Sequence, residues 1–98
     1  MAQKTYTPVM SSYKLIDIME FLHQQSTAVS AAEIARGLEL PHGTVMSHLS
    51  VLLERKWVRM SGALYEPGNR ISALYAAYVQ ALKHKRHTLD GEIATLGG

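Results

Sequence analysis

Apolar residues along this chain recur with a helical period in four stretches, and one short stretch has a different rhythm. Leu15, Ile18, Met19 and Leu22 stand at i, i+3, i+4 and i+7, one face of a helix that starts near Ser11 or Ser12 and closes at Gln24 to Thr27. A second, shorter helix is predicted over 31–36, with Ile34 and Ala35 inward and Leu38 and Leu40 packing the turn after it. A third spans 41–54, with Val45, Leu49 and Leu52 on its buried stripe. The rhythm then changes. Trp57 to Met60 and Ala63 to Glu66 favour extended backbone, and Ser61-Gly62 between them is a turn signal, so a hairpin is expected. After Pro67-Gly68 a last helix is predicted over 69–87, with Asn69 as its cap.

The turn between the second and third helices carries the most information. Ser30 and Glu33 form an S-x-x-E capping box, in which hydroxyl and carboxylate satisfy backbone N–H groups that a helix start leaves unpaired. Gly37 is expected to end that helix, and Pro41 suits the first turn of the next. Two short helices joined by a tight turn make a helix-turn-helix, whose second helix is presented to a DNA groove. The expected fold class is mainly α: a winged helix-turn-helix of three core helices and a small β-hairpin wing, with a C-terminal dimerisation helix. The expected organisation is a flexible arm over 1–10, the winged domain over 11–67, the last helix over 68–87 and a partly ordered tail over 88–98.

On the last helix Ile71, Tyr75, Tyr78 and Leu82 step by four, three and four, close to the period of a helix-pairing seam. Such a stripe either folds back on its own domain or pairs with a second copy. Pairing is the preferred expectation, because two recognition helices about one DNA turn apart read a palindrome.

Composition narrows the class. With 98 residues and 47% apolar content there is material for one small core, and no added effector-binding domain is expected. No cysteine is present, which excludes disulfides and thiolate-held zinc. No signal-like or membrane-length apolar run occurs, so a cytoplasmic protein is expected. Net charge is +2, unevenly divided. Residues 1–40 hold three cations against four carboxylates, and residues 41–98 hold seven against four, clustered at 54–59 and 83–86. These runs fit a phosphate-facing surface and equally a solvated face.

Leu15 to Leu22, Ala32-Glu33-Ile34-Ala35-Arg36-Gly37-Leu38, Leu40-Pro41, Thr44-Val45, Leu49, Leu52 and Trp57-Val58 resemble the N-terminal DNA-binding domain of IclR-type transcriptional regulators. The resemblance covers about residues 12–86. It implies a winged helix-turn-helix that dimerises through the helix after the wing and binds operator DNA as a small regulator, here without the effector-binding domain that usually follows. Four positions depart from the pattern. His42 and Gly43 stand where a basic residue and a serine are usual, Ser47 where arginine is frequent, and Lys56 where glycine is usual, so the turn before the wing is expected to be built differently.

The recognition face therefore consists of Pro41, His42, Gly43, Thr44, Met46, Ser47 and Ser50, with no arginine to grip a guanine. Base contacts are expected from His42, Gly43, Thr44, Met46, Ser47 and Ser50, each discriminating near the low end of about 1–3 kcal/mol. Backbone contacts are expected from Ser12, Lys14, Arg55, Lys56 and Arg59. Trp57 is expected to be a core anchor beneath the wing. His48 falls near the buried face, where the resemblance points to an aliphatic residue, and reads as a packed or interface histidine. His84 and His87 lack a third ligand for a metal, and no metal or cofactor is expected. No phosphate loop, nucleophile or carboxylate pair suggests an enzyme. Double-stranded DNA and a second copy are the expected partners. The rival reading is a winged-helix adaptor that binds protein, through the 71–82 seam, and not DNA.

Overall fold

The computed structural model describes residues 5–97 in backbone and 5–93 in side chain. Residues 1–4 of the expected arm and residue 98 of the expected tail lie outside the described residues. The element order is α1 (Met10–Gln24), α2 (Ala31–Leu38), α3 (His42–Glu54), β1 (Val58–Ser61), β2 (Leu64–Pro67) and α4 (Arg70–Gly97). Among the described residues, those up to Gly68 form one compact unit and those from Asn69 onward another.

The first unit is a winged helix-turn-helix. Ile18, Met19 and Leu22 of α1 are buried with Ile34 of α2 and with Val45, Leu49 and Leu52 of α3. Ile18, Ile34, Val45 and Leu49 have no exposed surface, and between them they come from all three helices. Burial of a side chain of this size stabilises by roughly 1.5–3 kcal/mol, so these stripes hold the three helices together. Val58 and Tyr65 extend the core beneath the hairpin.

The strands pair antiparallel with Val58 opposite Pro67 and Ser61 opposite Leu64. The turn is thus Gly62-Ala63, one residue later than the sequence signal placed it. Gly62 has φ 63 at the first turn position, where a two-residue hairpin turn with a leading glycine requires positive φ. A third extended segment joins the hairpin, which sequence periodicity did not reveal. Val29 donates to the Tyr65 carbonyl at 2.9 Å and accepts from the Tyr65 amide at 2.7 Å, so the connection between α1 and α2 borders β2.

Four expectations need correction. Helix α1 takes in Met10, which the sequence reading left in the arm. Helix α2 does not end at Gly37. It runs through Leu38, and Glu39 takes the left-handed conformation at φ 54. Leu40 then donates to Ala35 at 2.9 Å and Glu39 to Arg36 at 3.3 Å, the paired bonds of a Schellman cap. Gly37 is needed for space, because a Cβ there would overlap the Phe21 ring of α1. Trp57 is half-buried and not a core anchor. It lies outside β1 and lines an apolar groove of about 370 Å³ with Leu15, Met19, Val51 and Arg55.

The fourth correction concerns the second unit. Residues 88–97, expected as a tail, continue α4 to a length of 28 residues, about 42 Å at 1.5 Å per residue. Asn69 stands before it and its carbonyl accepts from Ala73 at 3.0 Å, the first bond of the helix. The extension has no proline, the Thr88 hydroxyl donates to the His84 carbonyl at 3.0 Å, and Arg86 lies 4.0 Å from Asp90 one turn on. Gly91 alone costs about 1 kcal/mol in a helix interior, too little to stop it.

Candidate nucleic-acid interface

The turn between α2 and α3 sets the angle at which α3 is offered to a partner. Ser30 Oγ accepts from the Glu33 amide at 3.1 Å, which is the serine half of the capping box. The reciprocal bond from the Glu33 carboxylate is not formed. Pro41, at φ −60 and ψ 143, sits just outside α3 as its cap position, one residue before the place the sequence reading gave it, and its carbonyl accepts from Val45 at 3.1 Å.

Helix α3 buries Val45, Leu49 and Leu52, which leaves the opposite side to solvent. Gly43, Ser47, Ser50 and Glu54 follow at i, i+4, i+7 and i+11, so they form one line along that exposed side. No side chain approaches Gly43, so backbone is accessible at the start of the line. His42 is exposed beside it, and Thr44 is half-buried.

Two expected base readers already have internal partners. The Ser50 hydroxyl donates to the Ser47 carbonyl at 2.7 Å, which leaves its oxygen as an acceptor only. Met46 lies toward the hairpin, where the Tyr65 hydroxyl donates to its sulfur at 4.0 Å. The free hydroxyl on the exposed line is that of Ser47.

The expected phosphate contacts come from three elements. Ser12 and Lys14 are in the first turns of α1, Arg55 and Lys56 follow α3, and Arg59 is on β1. Arg59 Nε donates to Glu66 Oε1 at 2.9 Å across the hairpin, where the register sets the two residues opposite each other. Its positive charge is thus shared with a carboxylate. The side chain of Arg55 borders the Trp57 groove. The four expected cations are therefore not equivalent.

Helix, tight turn and exposed helix followed by a hairpin wing are what the comparisons with known proteins return. The sequence profile of the IclR helix-turn-helix domain matches residues 13–62, half of the chain. The chain belongs to the IclR helix-turn-helix family. Among solved structures, HmgR of Pseudomonas aeruginosa is 22% identical with a TM-score of 0.64 and covers 70% of this chain and 29% of its own. An IclR family transcriptional regulator from Brucella abortus is 19% identical with a TM-score of 0.65, over 82% of this chain and 32% of its own. The Thermotoga maritima IclR is 25% identical with a TM-score of 0.62, over 71% of this chain and 28% of its own. This chain spans about a third or less of the length of those proteins. No curated protein matches it.

The departures from the IclR pattern now have a geometry. Lys56 adopts the left-handed backbone, φ 67, at the position where the pattern has glycine. The turn before the wing is therefore left-handed with a lysine in it, at a cost of roughly 1–2 kcal/mol relative to glycine. Two further residues of the IclR-type surface were missed by the sequence reading. Glu54 puts a negative charge at the far end of the exposed line of α3, and Glu66 pairs with Arg59. The i+11 spacing from Gly43 was enough to find the first. The second needed the register of a hairpin whose turn lies one residue from where the sequence put it.

Proposed function

We propose that this IclR-type domain binds double-stranded DNA sequence-specifically as a homodimer and acts as a small transcriptional regulator. Helix α3 enters the major groove with Gly43 and Ser47 toward the base edges, while the first turns of α1, the end of α3 and the wing lie along the backbone. The observation that carries this reading is the exposed Gly43, Ser47, Ser50 line, directly opposite the buried Val45, Leu49, Leu52 stripe, within the matched family segment. His42 and Ser47 supply hydrogen-bonding groups, Ser50 an acceptor, and the Met46 or Thr44 methyl groups an apolar surface for thymine.

Dimerisation rests on α4. Tyr75, Tyr78 and Leu82 of the seam are 68%, 61% and 45% exposed, and Leu89 and Ile93 continue the apolar positions beyond it. A helix this long with an uncovered apolar stripe gains most by pairing the stripe, and a second copy offers the same stripe. The resulting pairing sets the spacing of two α3 helices on a palindrome.

The test is fluorescence anisotropy with a randomised duplex pool at low and moderate salt, sequencing of the retained fraction, and sedimentation of the free protein. Four candidate cations per protomer give eight in a dimer, so the slope of log K against log salt is at most about −7. A steep slope with an enriched palindrome and a dimeric mass supports the proposal. Glu54 on the exposed line and the Arg59–Glu66 pair favour one alternative, a protein-binding adaptor, and absent binding at low salt turns the reading to it.

A further inference from the structure

His48 is a half-buried residue of α3 whose two ring nitrogens both meet backbone carbonyls. Nδ1 lies 2.7 Å from the Thr44 oxygen, one turn back on α3, and Nε2 lies 3.1 Å from the Ser11 oxygen in the first turn of α1, 37 residues away. A carbonyl oxygen only accepts. The neutral ring has one N–H and one lone pair, so it satisfies one of these contacts and sets its lone pair against the other oxygen. The imidazolium has two N–H groups and satisfies both, and charge-assisted bonds are roughly twice as strong as neutral ones.

Met19 of α1 and Leu52 of α3 line one apolar groove, and apolar packing of this kind is not directional. A hydrogen bond from a side chain of one helix to the backbone of the other is directional. The aliphatic residue to which the family resemblance points at this position could form neither bond.

We infer that His48 is a positioning residue, which holds the amino-terminal turn of α1 in register with α3. The inference rests on the DNA-binding reading above. Ser12 and Lys14 stand on the turn that His48 grips, and Thr44 and Ser47 on the helix that carries it, so one side chain couples backbone contacts to base contacts. Loss of the coupling loosens the Lys14 turn and leaves the α3 face in place.

The experiment measures binding of a short random-sequence duplex by wild type, His48→Leu, Lys14→Ala and the double variant across a salt series. Leucine keeps the packing volume and removes both hydrogen bonds. His48→Gln, with one amide donor for Ser11, serves as the conservative variant. His48→Leu is expected to weaken binding about tenfold, within the range for coupled neighbours, and to flatten the salt slope by about 0.9 for each phosphate that Lys14 no longer neutralises. Lys14→Ala then costs little more in the His48→Leu background, and His48→Gln recovers part of the loss. A merely structural role would lower the melting temperature without moving the slope.

Wild-type binding with an unchanged slope in His48→Leu, or additive losses in the double variant, would overturn this inference alone. Absence of wild-type binding at low salt would overturn the DNA reading and this inference with it. If neither His48 variant folds, His48 is needed for the core and not for positioning alone, and the inference falls.

Discussion

Replacing Glu66 by glutamine is expected to strengthen DNA binding by this domain without loss of fold. Glu66 Oε1 accepts from Arg59 Nε at 2.9 Å on the wing, with the two side chains 30% and 56% exposed. Glutamine keeps the size and the acceptor oxygen and removes the charge. An exposed ion pair of this kind contributes between about 0.2 and 1 kcal/mol to stability, so melting is expected to shift by only a few degrees. The electrostatic effect on DNA is of similar size and is read separately, from the salt dependence of binding. Each phosphate contact contributes about 0.9 to the salt slope, so one further contact changes affinity by about 3.5-fold over a fourfold change in salt. If Glu66 at present offsets Arg59, the Glu66→Gln protein should bind a random duplex several-fold more tightly at low salt, with a slope steeper by about one per protomer. Anisotropy titrations at four or more salt concentrations read both quantities. An unchanged slope would show that Arg59 does not reach phosphate. Weaker binding would show that Glu66 acts by orienting Arg59, and either result refutes the offset argument.

Other substitutions probe separate links. Glu54→Gln removes the negative charge at the end of the exposed line of α3 and is expected to raise affinity for all sequences alike, whereas Ser47→Ala is expected to alter sequence preference in a selection from randomised DNA. Ser30→Ala removes the hydroxyl that accepts from the Glu33 amide and is expected to cost about 1 kcal/mol, or a melting shift of roughly 4–8 °C followed by circular dichroism. Leu49→Ala opens a cavity where the side chain has no exposed surface and is expected to cost about 2–5 kcal/mol, enough to remove cooperative unfolding from a domain this small. Tyr75→Glu with Tyr78→Glu places charges on the α4 stripe and is expected to yield a monomer by sedimentation. A dimeric mass in that variant would locate the interface elsewhere.

The three core helices were legible from spacing, because Ile18, Ile34 and Leu49 belong to 3.6-residue stripes that become the core whatever the exact angles between helices. The Ser30 cap and the hairpin were legible for a similar reason, since each depends on a few neighbouring residues. The IclR resemblance was also carried by local motifs, and the family match over 13–62 covers those motifs but not the α4 part of the expected 12–86 range.

Tertiary structure decided what local rules left open. Gly37 looked like a helix stop, but the Phe21 ring needs its space and Glu39 takes the left-handed turn, because a packing contact between helices outweighed a local preference. Val29 gave no sign that it borders β2, since pairing across 36 positions leaves no trace in periodicity. The end of α4 could not be placed by a weak breaker such as Gly91. The candidate interface was divided in the same way. Its exposed residues followed from the period of α3, so sequence alone supplied Gly43, Ser47 and Ser50. The partners that alter those residues, Glu66 for Arg59, the Ser47 carbonyl for Ser50 and the Ser11 carbonyl for His48, depend on register, rotamer and helix approach, which exist only once the chain has folded.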